Sequence, residues 1–198
     1  YITHFNNMSI PLLTIGPNGG NHSHLLPYEE AAYRITQELI NRKHTNIACV
    51  LKEGRRTTAF LNGYKRCLFD NHMKLDKDFI FYDLNESLIY KVNTRSISGI
   101  ISSHYRKAME FYQLMNTLNY RIPEDISLIS LKNDTMESLA FPNISEISTY
   151  TILNADFGSY LCSKLIAEIE KRKDEVHSFV QEFHLDNETT VSIPFSLE

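Results

Sequence analysis

The polar run Lys52-Glu53-Gly54-Arg55-Arg56 is the densest group of side chains in this sequence that could bind an anion. It directly follows an apolar run typical of a buried strand, and loops at strand ends often carry binding residues. Arg55 or Arg56 could therefore reach a ligand, because a guanidinium group presents a fork of donors to carboxylate or phosphate oxygens. A solvated loop explains the same residues more simply.

Other patterns that could do chemistry are weaker. The turn-rich run Gly16-Pro17-Asn18-Gly19-Gly20 lacks the Lys-Ser/Thr pair and the following helix of a phosphate-binding loop. The histidines show no H-E-x-x-H spacing, and Ser159 lies in a helical pattern rather than in a G-x-S-x-G turn. Glu124-Asp125 could act as paired carboxylates, but their place before a strand favours a turn. We therefore expect no catalytic residue, no metal and no cofactor.

The composition is that of an ordinary globular chain. Its 198 residues are 42% hydrophobic, which is enough for a large core. A net charge of −4 and a pI near 6.1 offer no basic surface for a phosphate backbone, so any DNA contact has to come from elsewhere. The three cysteines, Cys49, Cys67 and Cys162, lie in apolar-periodic segments, which predicts reduced core thiols and a cytoplasmic protein.

The sequence shows no sign of a membrane or export segment. No run approaches the roughly 20 apolar residues of a membrane span. Residues 1–5 have neither the basic nor the apolar part of an export signal. Because the sequence does not start with Met, we expect it to begin inside a longer protein.

Short apolar runs alternate with helical patterns along the chain, which is typical of βαβ units and a mainly parallel sheet. The predicted strands are apolar runs bounded by turn residues, and they cover residues 12–15, 22–26, 47–51, 79–82, 99–102, 126–131, 146–150, 179–184 and 190–195. Helices with apolar residues on one face are predicted from Pro27 and over residues 57–70, 105–118 and 154–171. Residues 83–98 are only weakly patterned.

The run Arg121-Ile122-Pro123-Glu124-Asp125-Ile126-Ser127-Leu128-Ile129 resembles the "IPEDISVI" signature of the lactose/galactose repressor family. The ligand-binding core of that family is similar to type I periplasmic sugar-binding proteins. Further segments match the family pattern in order. Residues 10–15 resemble its "IPVVLID" strand, Asn62-Gly63-Tyr64 its R-x-x-G-[FY] helix, and Ile147-Ser148-Thr149-Tyr150 its "LTTV" strand. The resemblance spans nearly the whole chain.

This resemblance implies an α/β fold with two Rossmann-like parallel-sheet subdomains joined by three crossovers, the N-terminal subdomain being incomplete in this chain. On this model residues 1–50 and 151–176 form the N-terminal subdomain. Residues 51–150 and 177–198 form the C-terminal subdomain. An effector is expected in the cleft at the carboxyl ends of the strands, where open parallel sheets bind ligands.

The sequence departs from the family at the positions that recognise sugars. Phe60 stands where the family has the Arg of its R-x-x-G helix, and Arg55 or Arg56 could substitute for this missing Arg. The polar pair after residues 99–102 becomes His104-Tyr105, and the acidic pair after residue 131 becomes Lys132-Asn133. On the resemblance, these residues line the effector site. Lys132 and His104 would favour an anionic effector such as a sugar phosphate. A neutral sugar and a pocket that has lost its ligand are the alternatives.

The resemblance implies the effector-binding and dimerisation core of a transcriptional regulator, a repressor that senses a sugar or sugar phosphate. Effector binding would close a hinge in each subunit of a homodimer and control DNA binding through headpieces outside this chain. The alternative is a periplasmic-type solute-binding protein of a transporter. An export signal and no helix-turn-helix in the complete gene would support that alternative. An enzyme on the same scaffold would need a nucleophile or an acid-base pair at a strand end, and the sequence offers no convincing one.

Overall fold

The computed structural model describes six stretches of the chain, residues 11–15, 23–54, 56–133, 147–153, 155–172 and 182–194. The strands of these stretches are β1 (Thr14–Ile15), β2 (Ser23–His24), β3 (Ile47–Val50), β4 (Ile80–Phe81), β5 (Gly99–Ser102), β6 (Ser127–Lys132) and β7 (Ser148–Thr151). Their α-helices are α1 (Tyr28–Asn41), α2 (Thr57–Asp70), α3 (Glu86–Asn93), α4 (Tyr105–Thr117) and α5 (Ala155–Ile169).

The chain divides into two compact units. The first comprises residues 1–27 and 153–182, and the second comprises residues 28–152 and 183–198. Within the first unit, β1 and β2 pair in parallel, and α5 follows much later in the chain. The rings of His24 and Tyr160 pack edge to face there, with 5.7 Å between their centroids.

The second unit is built on a five-stranded parallel sheet with the strand order β4-β3-β5-β6-β7. Val50, Ser102 and Ser130 lie side by side across its three central strands. Every residue of these three strands is buried, as expected of parallel strands that are covered on both faces. The predicted α/β class and the parallel sheet are confirmed.

The core of the second unit lies where α3 and α4 pack on the sheet. Its side chains are apolar and form one contiguous cluster, which fixes the strands in place. Its buried members are Ala48, Val50, Phe81, Leu88, Val92, Ile97, Ile100, Tyr105, Ala108, Met109, Phe111, Met115, Ile126, Leu128 and Ile147.

Helices α1 and α2 approach each other closely at Gly63. A Cβ atom at this position would overlap the backbone carbonyl of Glu29 and would lie 2.9 Å from the Cβ of Ala32. Glycine is therefore required here for close approach rather than for its backbone freedom. This contact sets the position of α2, whose first turn lies in the candidate site.

Most predicted elements are confirmed, and one helix was missed. Helix 57–70 and strand 99–102 have the predicted bounds, and the other central elements differ by one or two residues at their ends. Helix α3 falls in the stretch that the sequence analysis found weakly patterned. The side chain of Asn85 caps it by accepting from the backbone N–H of Leu88 at 3.0 Å, and Leu88 and Val92 anchor it in the core.

The two strands predicted near the C-terminus are wrong where the structure describes them. Residues 182–194 form no strand, and only Leu185 makes an isolated antiparallel bridge, to Tyr150. Isolated backbone bonds and side-chain hydrogen bonds, rather than a continuous ladder, join this segment to the sheet. The Thr190 hydroxyl accepts from the backbone N–H of Ser148 at 2.8 Å and donates to the Leu128 carbonyl at 2.6 Å. Residues 179–181 and 195 lie outside the described stretches, as does the predicted turn at 16–20.

The compact units divide the chain at other residues than the subdomains predicted from the sequence. Residues 28–50 were expected in the N-terminal subdomain, but they belong to the second unit. The reason is physical, because β3 is hydrogen-bonded to both β4 and β5, and α1 packs on α2. Placing α1 and β3 in the other unit would break the hydrogen bonds of β3 and the packing of α1 on α2.

The cysteines are free, and they differ in exposure. Cys49 and Cys67 are buried as predicted, whereas Cys162 is exposed, so the prediction of a core thiol is wrong there. The residue lies on the solvent side of α5 despite its apolar-periodic neighbours. Burial raises the pKa of Cys67 to about 12 and that of Cys49 further, so both thiols stay protonated.

Within the described stretches, no helix is long and apolar enough to cross a membrane. The same stretches bring together no group of three or more His, Cys, Asp or Glu that could hold a metal ion.

Candidate functional site

The polar groups of interest lie at one edge of the five-stranded sheet. Because all five strands are parallel, they end at the same edge, here called the carboxyl edge. Helix α2 follows β3 and helix α4 follows β5, so both helices begin at this edge. Their N-termini bring the partial positive charge of the helix dipole to it.

Arg56 is the best-positioned cation of the carboxyl edge. It is the N-cap residue of α2, and its NH1 group donates to Oδ1 of Asn133 at 2.6 Å. Its guanidinium carbon lies 5.1 Å from the centroid of the Tyr28 ring, whose hydroxyl donates to the same Oδ1 at 3.3 Å. A residue from each of three segments far apart in sequence thus meets at one point.

His104 lies beside this cluster as the N-cap residue of α4. Its Nδ1 is 2.9 Å from the Ser103 hydroxyl, which also accepts from the backbone N–H of Lys52. Burial, and then the positive charges of Arg56 and Lys52, lower the pKa of His104 to about 4. The imidazole is therefore neutral near pH 7. No residue in the described part of the chain bonds its Nε2, which leaves this atom for a ligand.

Lys132 lies at the same edge, but its charge is compensated. Its Nζ donates to Oδ2 of Asp186 at 2.9 Å, and the Thr149 and Thr151 hydroxyls donate to the same oxygen at 2.8 and 2.9 Å. Burial on its own raises the pKa of Asp186, but these hydrogen bonds and the charge of Lys132 outweigh it and lower the pKa. Lys132 thus holds the segment around residue 186 against β6 and β7.

The residues predicted from the sequence are only partly brought together. His104 and Asn133 lie at the carboxyl edge near Arg56, while Arg55 lies outside the described stretches. Phe60 and Tyr105 are in the interior, with 0% and 3% of their surface exposed, so they present almost no surface to a small molecule in this structure.

Two contributors were missed by the sequence analysis. Tyr28 stacks on Arg56, and its only signal in the sequence is its place in the first turn of a helix. Asp186 neutralises Lys132 from an irregular segment, where no periodicity could have indicated it. For Arg56 the sequence indicated a ligand contact only as an alternative to a solvated loop, and it did not distinguish Arg56 from Arg55.

The opposite edge, at which the strands begin, is here called the amino edge. A small cavity opens there beside β3, with Asn46, Tyr64, Lys74 and Asp76 in its wall. Its lining contains one cation and one anion, so their charges balance. At the carboxyl edge, by contrast, Arg56 forms no ion pair with any described residue.

The model of the periplasmic binding protein-like domain family matches residues 36–186 of the chain. This span covers most of the chain, including the whole five-stranded sheet. A comparison with curated protein sequences finds no match.

Several solved structures are similar to the chain over nearly its whole length. One is a sugar-binding transcriptional regulator of the LacI family from Escherichia coli, complexed with phosphate. It has 16% identity and a TM-score of 0.74, over 98% of this chain and 74% of that one. Another is a LacI family transcriptional regulator from Enterococcus faecium with bound ribose. It has 14% identity and a TM-score of 0.71, over 96% and 74%.

A third similar structure is the transcription regulator CcpA of Lactococcus lactis. It has 20% identity and a TM-score of 0.70, over 96% of this chain and 73% of that one. These three proteins are transcriptional regulators rather than enzymes. At such identities the likeness shows the fold, and the fold predicted from the sequence is confirmed.

Proposed function

Because the chain belongs to the periplasmic binding protein-like domain family, we propose that it is the effector-binding core of a transcriptional regulator of the lactose/galactose repressor type. A small molecule, a sugar or sugar phosphate, binds at the carboxyl edge of the five-stranded sheet and thereby controls DNA binding. The expected hinge closure stays a prediction.

The cluster of Arg56, Asn133 and His104 is the observation that supports this function most directly. Open parallel sheets bind ligands outside the carboxyl ends of their strands. In this chain that edge carries the guanidinium of Arg56, the amide of Asn133 and the neutral imidazole of His104. Each of these groups can form hydrogen bonds with hydroxyl or phosphate oxygens of a ligand. Within the proposed site, Lys132 acts through Asp186, while Phe60 and Tyr105 support the wall from within.

The similar structures support the class of ligand. The Escherichia coli regulator is complexed with phosphate, and the Enterococcus faecium regulator has bound ribose. A sugar or sugar phosphate presents both kinds of oxygen atom. The polar cluster at the carboxyl edge offers donors and acceptors for either.

The partners follow from the same proposal. A net charge of −4 provides no broad basic surface, so operator DNA is bound by a domain outside these 198 residues. The working unit is a homodimer in the cytoplasm, because a symmetric dimer presents two DNA-binding domains to a two-fold symmetric operator.

An enzymatic role is not part of the proposal. Ser103 and His104 are hydrogen-bonded and could suggest a nucleophile with its base. However, Ser103 has 0% of its surface exposed, so a substrate cannot reach its hydroxyl. A histidine whose pKa is about 4 is also a weak base near pH 7. The two residues support the binding edge instead.

Thermal unfolding in the presence of sugars, sugar phosphates and nucleosides tests the proposal. A true effector binds the folded state, so the unfolding midpoint rises as its concentration increases above the dissociation constant. We expect one chemical class from this panel to do so. The complete gene product supplies the second test, since a helix-turn-helix is expected there. An export signal without a helix-turn-helix would instead indicate a solute-binding protein of a transporter.

A further inference from the structure

The surroundings of Arg56 narrow the class of effector, and this step rests on the function proposed above. We propose that the effector carries a phosphate group, that Arg56 binds this group, and that the phosphate displaces the side chain of Asn133 from the guanidinium. A neutral sugar would leave this cation without a charged partner.

Arg56 differs from most arginines of the described stretches in lacking a carboxylate partner. Neither Arg56 nor Lys52 has an Asp or Glu within ion-pair distance in the part of the chain that the structure describes. Arginines that form ion pairs with described carboxylates include Arg34, Arg42, Arg66, Arg121 and Arg172. Arg56 and Lys52 are therefore two cations of the carboxyl edge without an ion-pair partner among the described residues.

The guanidinium of Arg56 is nevertheless held in place. Tyr28 supports it at 5.1 Å from the ring centroid, and Asn133 accepts one hydrogen bond from it at 2.6 Å. A guanidinium has five N–H donors, and the described residues supply no other acceptor for them. A phosphate matches this fork with two oxygens at once, whereas the neutral amide of Asn133 supplies one.

The neighbouring groups favour a doubly charged oxyanion over a singly charged one. Helices α2 and α4 both begin at this edge, and neither has a side-chain hydrogen bond at its N-cap residue. Lys52 adds a second cation, and neutral His104 adds a hydrogen-bonding nitrogen without adding charge. Two cations and two helix N-termini complement a phosphate monoester better than a carboxylate.

Inorganic phosphate is the direct probe of this site, because it presents the bound group without any assumption about the sugar. The unfolding midpoint of the whole chain is measured against phosphate concentration at constant ionic strength, with chloride as the balancing anion. We expect the midpoint to rise with phosphate in the wild type. Ribose is measured in parallel as the neutral probe, and we expect it to have little effect alone.

Two variants test Arg56 independently. Arg56→Gln removes the charge and should weaken the apparent phosphate affinity at least tenfold, whereas Arg34→Gln, at a surface arginine paired with Glu30, should leave it within twofold. Asn133→Asp keeps the shape of the side chain but gives the guanidinium a permanent anion. It should weaken phosphate binding at least tenfold without lowering the midpoint measured in chloride.

The outcomes separate this inference from the proposed function. If ribose raises the midpoint and phosphate does not, the regulator function stands and the phosphate inference is overturned. If phosphate raises the midpoint equally in Arg56→Gln and Asn133→Asp, it binds elsewhere and the inference is again overturned. If neither probe has an effect, the inference fails and the proposed function loses its support from the carboxyl edge.

Discussion

Two histidines at opposite edges of the same sheet are used in opposite ways. At the amino edge, His44 is 1% exposed, and both ring nitrogens are bonded, Nδ1 to the Ser98 hydroxyl at 2.9 Å and Nε2 to the Ser192 carbonyl at 2.8 Å. At the carboxyl edge, the His104 ring is bonded to Ser103 through Nδ1, and no described residue bonds its Nε2. The ring of His44 is thus fully hydrogen-bonded within the chain, whereas the ring of His104 keeps one nitrogen for another molecule.

Arginines repeat this contrast. Arg42, near the amino edge, pairs with Glu38 at 2.8 Å and with Glu188 at 3.1 Å. Among the described residues, Arg56 at the carboxyl edge contacts the neutral Asn133 and the Tyr28 ring and forms no ion pair. A guanidinium that is held in place without a carboxylate partner is suited to bind an anionic ligand.

The contrast predicts the largest loss of stability at the amino edge. His44→Ala empties the space of a buried ring and removes its hydrogen bonds to the part-buried Ser98 and Ser192, so the free energy of unfolding should fall by roughly 3 kcal/mol. His104→Ala should cost no more than about 1 kcal/mol, because Ser103 keeps its bond from the Lys52 backbone. Urea unfolding of both variants measures the difference, and equal losses would contradict the contrast.

Helix α1 connects the two edges, and its crossing with α2 is the next point to test. Gly63→Ala places a methyl group against the Glu29 carbonyl and should cost about 2 kcal/mol. It should also weaken phosphate binding, because α2 carries Arg56. Gly158→Ala is the matched control, since a Cβ there meets nothing within 4 Å. This change in α5 should be neutral or stabilise by up to about 1 kcal/mol.

Acidification should destabilise the protein through both histidines. The unfolded pKa of histidine is near 6.5 and the folded pKa of His104 is about 4, so protonation favours the unfolded state. The contribution of neutral His104 to the free energy of unfolding is fully present above pH 6.5 and is lost progressively as the pH falls toward 4. Burial, opposed by the Ser192 hydrogen bond and assisted by the charge of Arg42, also lowers the pKa of His44.

The histidine variants separate these two contributions. Between pH 6.5 and 5, His104→Gln should remove roughly 1.5 kcal/mol of the wild-type decline, as measured by urea unfolding at each pH. If the free energy of unfolding of this variant depended on pH as that of the wild type does, His104 would not be a part-buried, neutral side chain beside two cations.

The smallest effect is expected at Lys132. Lys132→Met replaces a buried ammonium by an apolar group and removes one hydrogen bond of Asp186, but this carboxylate is 37% exposed and keeps the Thr149 and Thr151 hydroxyls, so the loss should be about 1 kcal/mol. Phosphate affinity should stay within twofold of the wild type. A tenfold loss would show that Lys132, rather than Arg56 alone, contacts the anion, as the sequence by itself suggested.

The sheet was predictable because its determinants are local. Strand 99–102 and helix 57–70 follow from continuous or periodic apolar residues, which the core confirms. Helix α3 was missed because it is short and has only Leu88 and Val92 as buried anchors, although Asn85 is a recognisable cap. The prediction of the C-terminal strands failed because isolated backbone bonds and hydroxyl groups such as that of Thr190 take the place of a continuous ladder.

The site was less predictable than the sheet because its contacts are distant in sequence. Asn133 meets Arg56 across 77 positions and Tyr28 across 105. A single sequence shows the types of these residues but not their meeting. For the same reason the pairing of Lys132 with Asp186, 54 positions away, reversed its expected role as the free cation.

Backbone NMR with inorganic phosphate shows where the anion binds, because it reports both edges of the sheet in one titration. We expect the amide signals of Arg56, His104 and Asn133 to shift together and saturate at one affinity, while those of His44 and Ser98 stay unchanged. Shifts at the amino edge with no change at Arg56 and His104 would contradict the assignment of the binding site to the carboxyl edge.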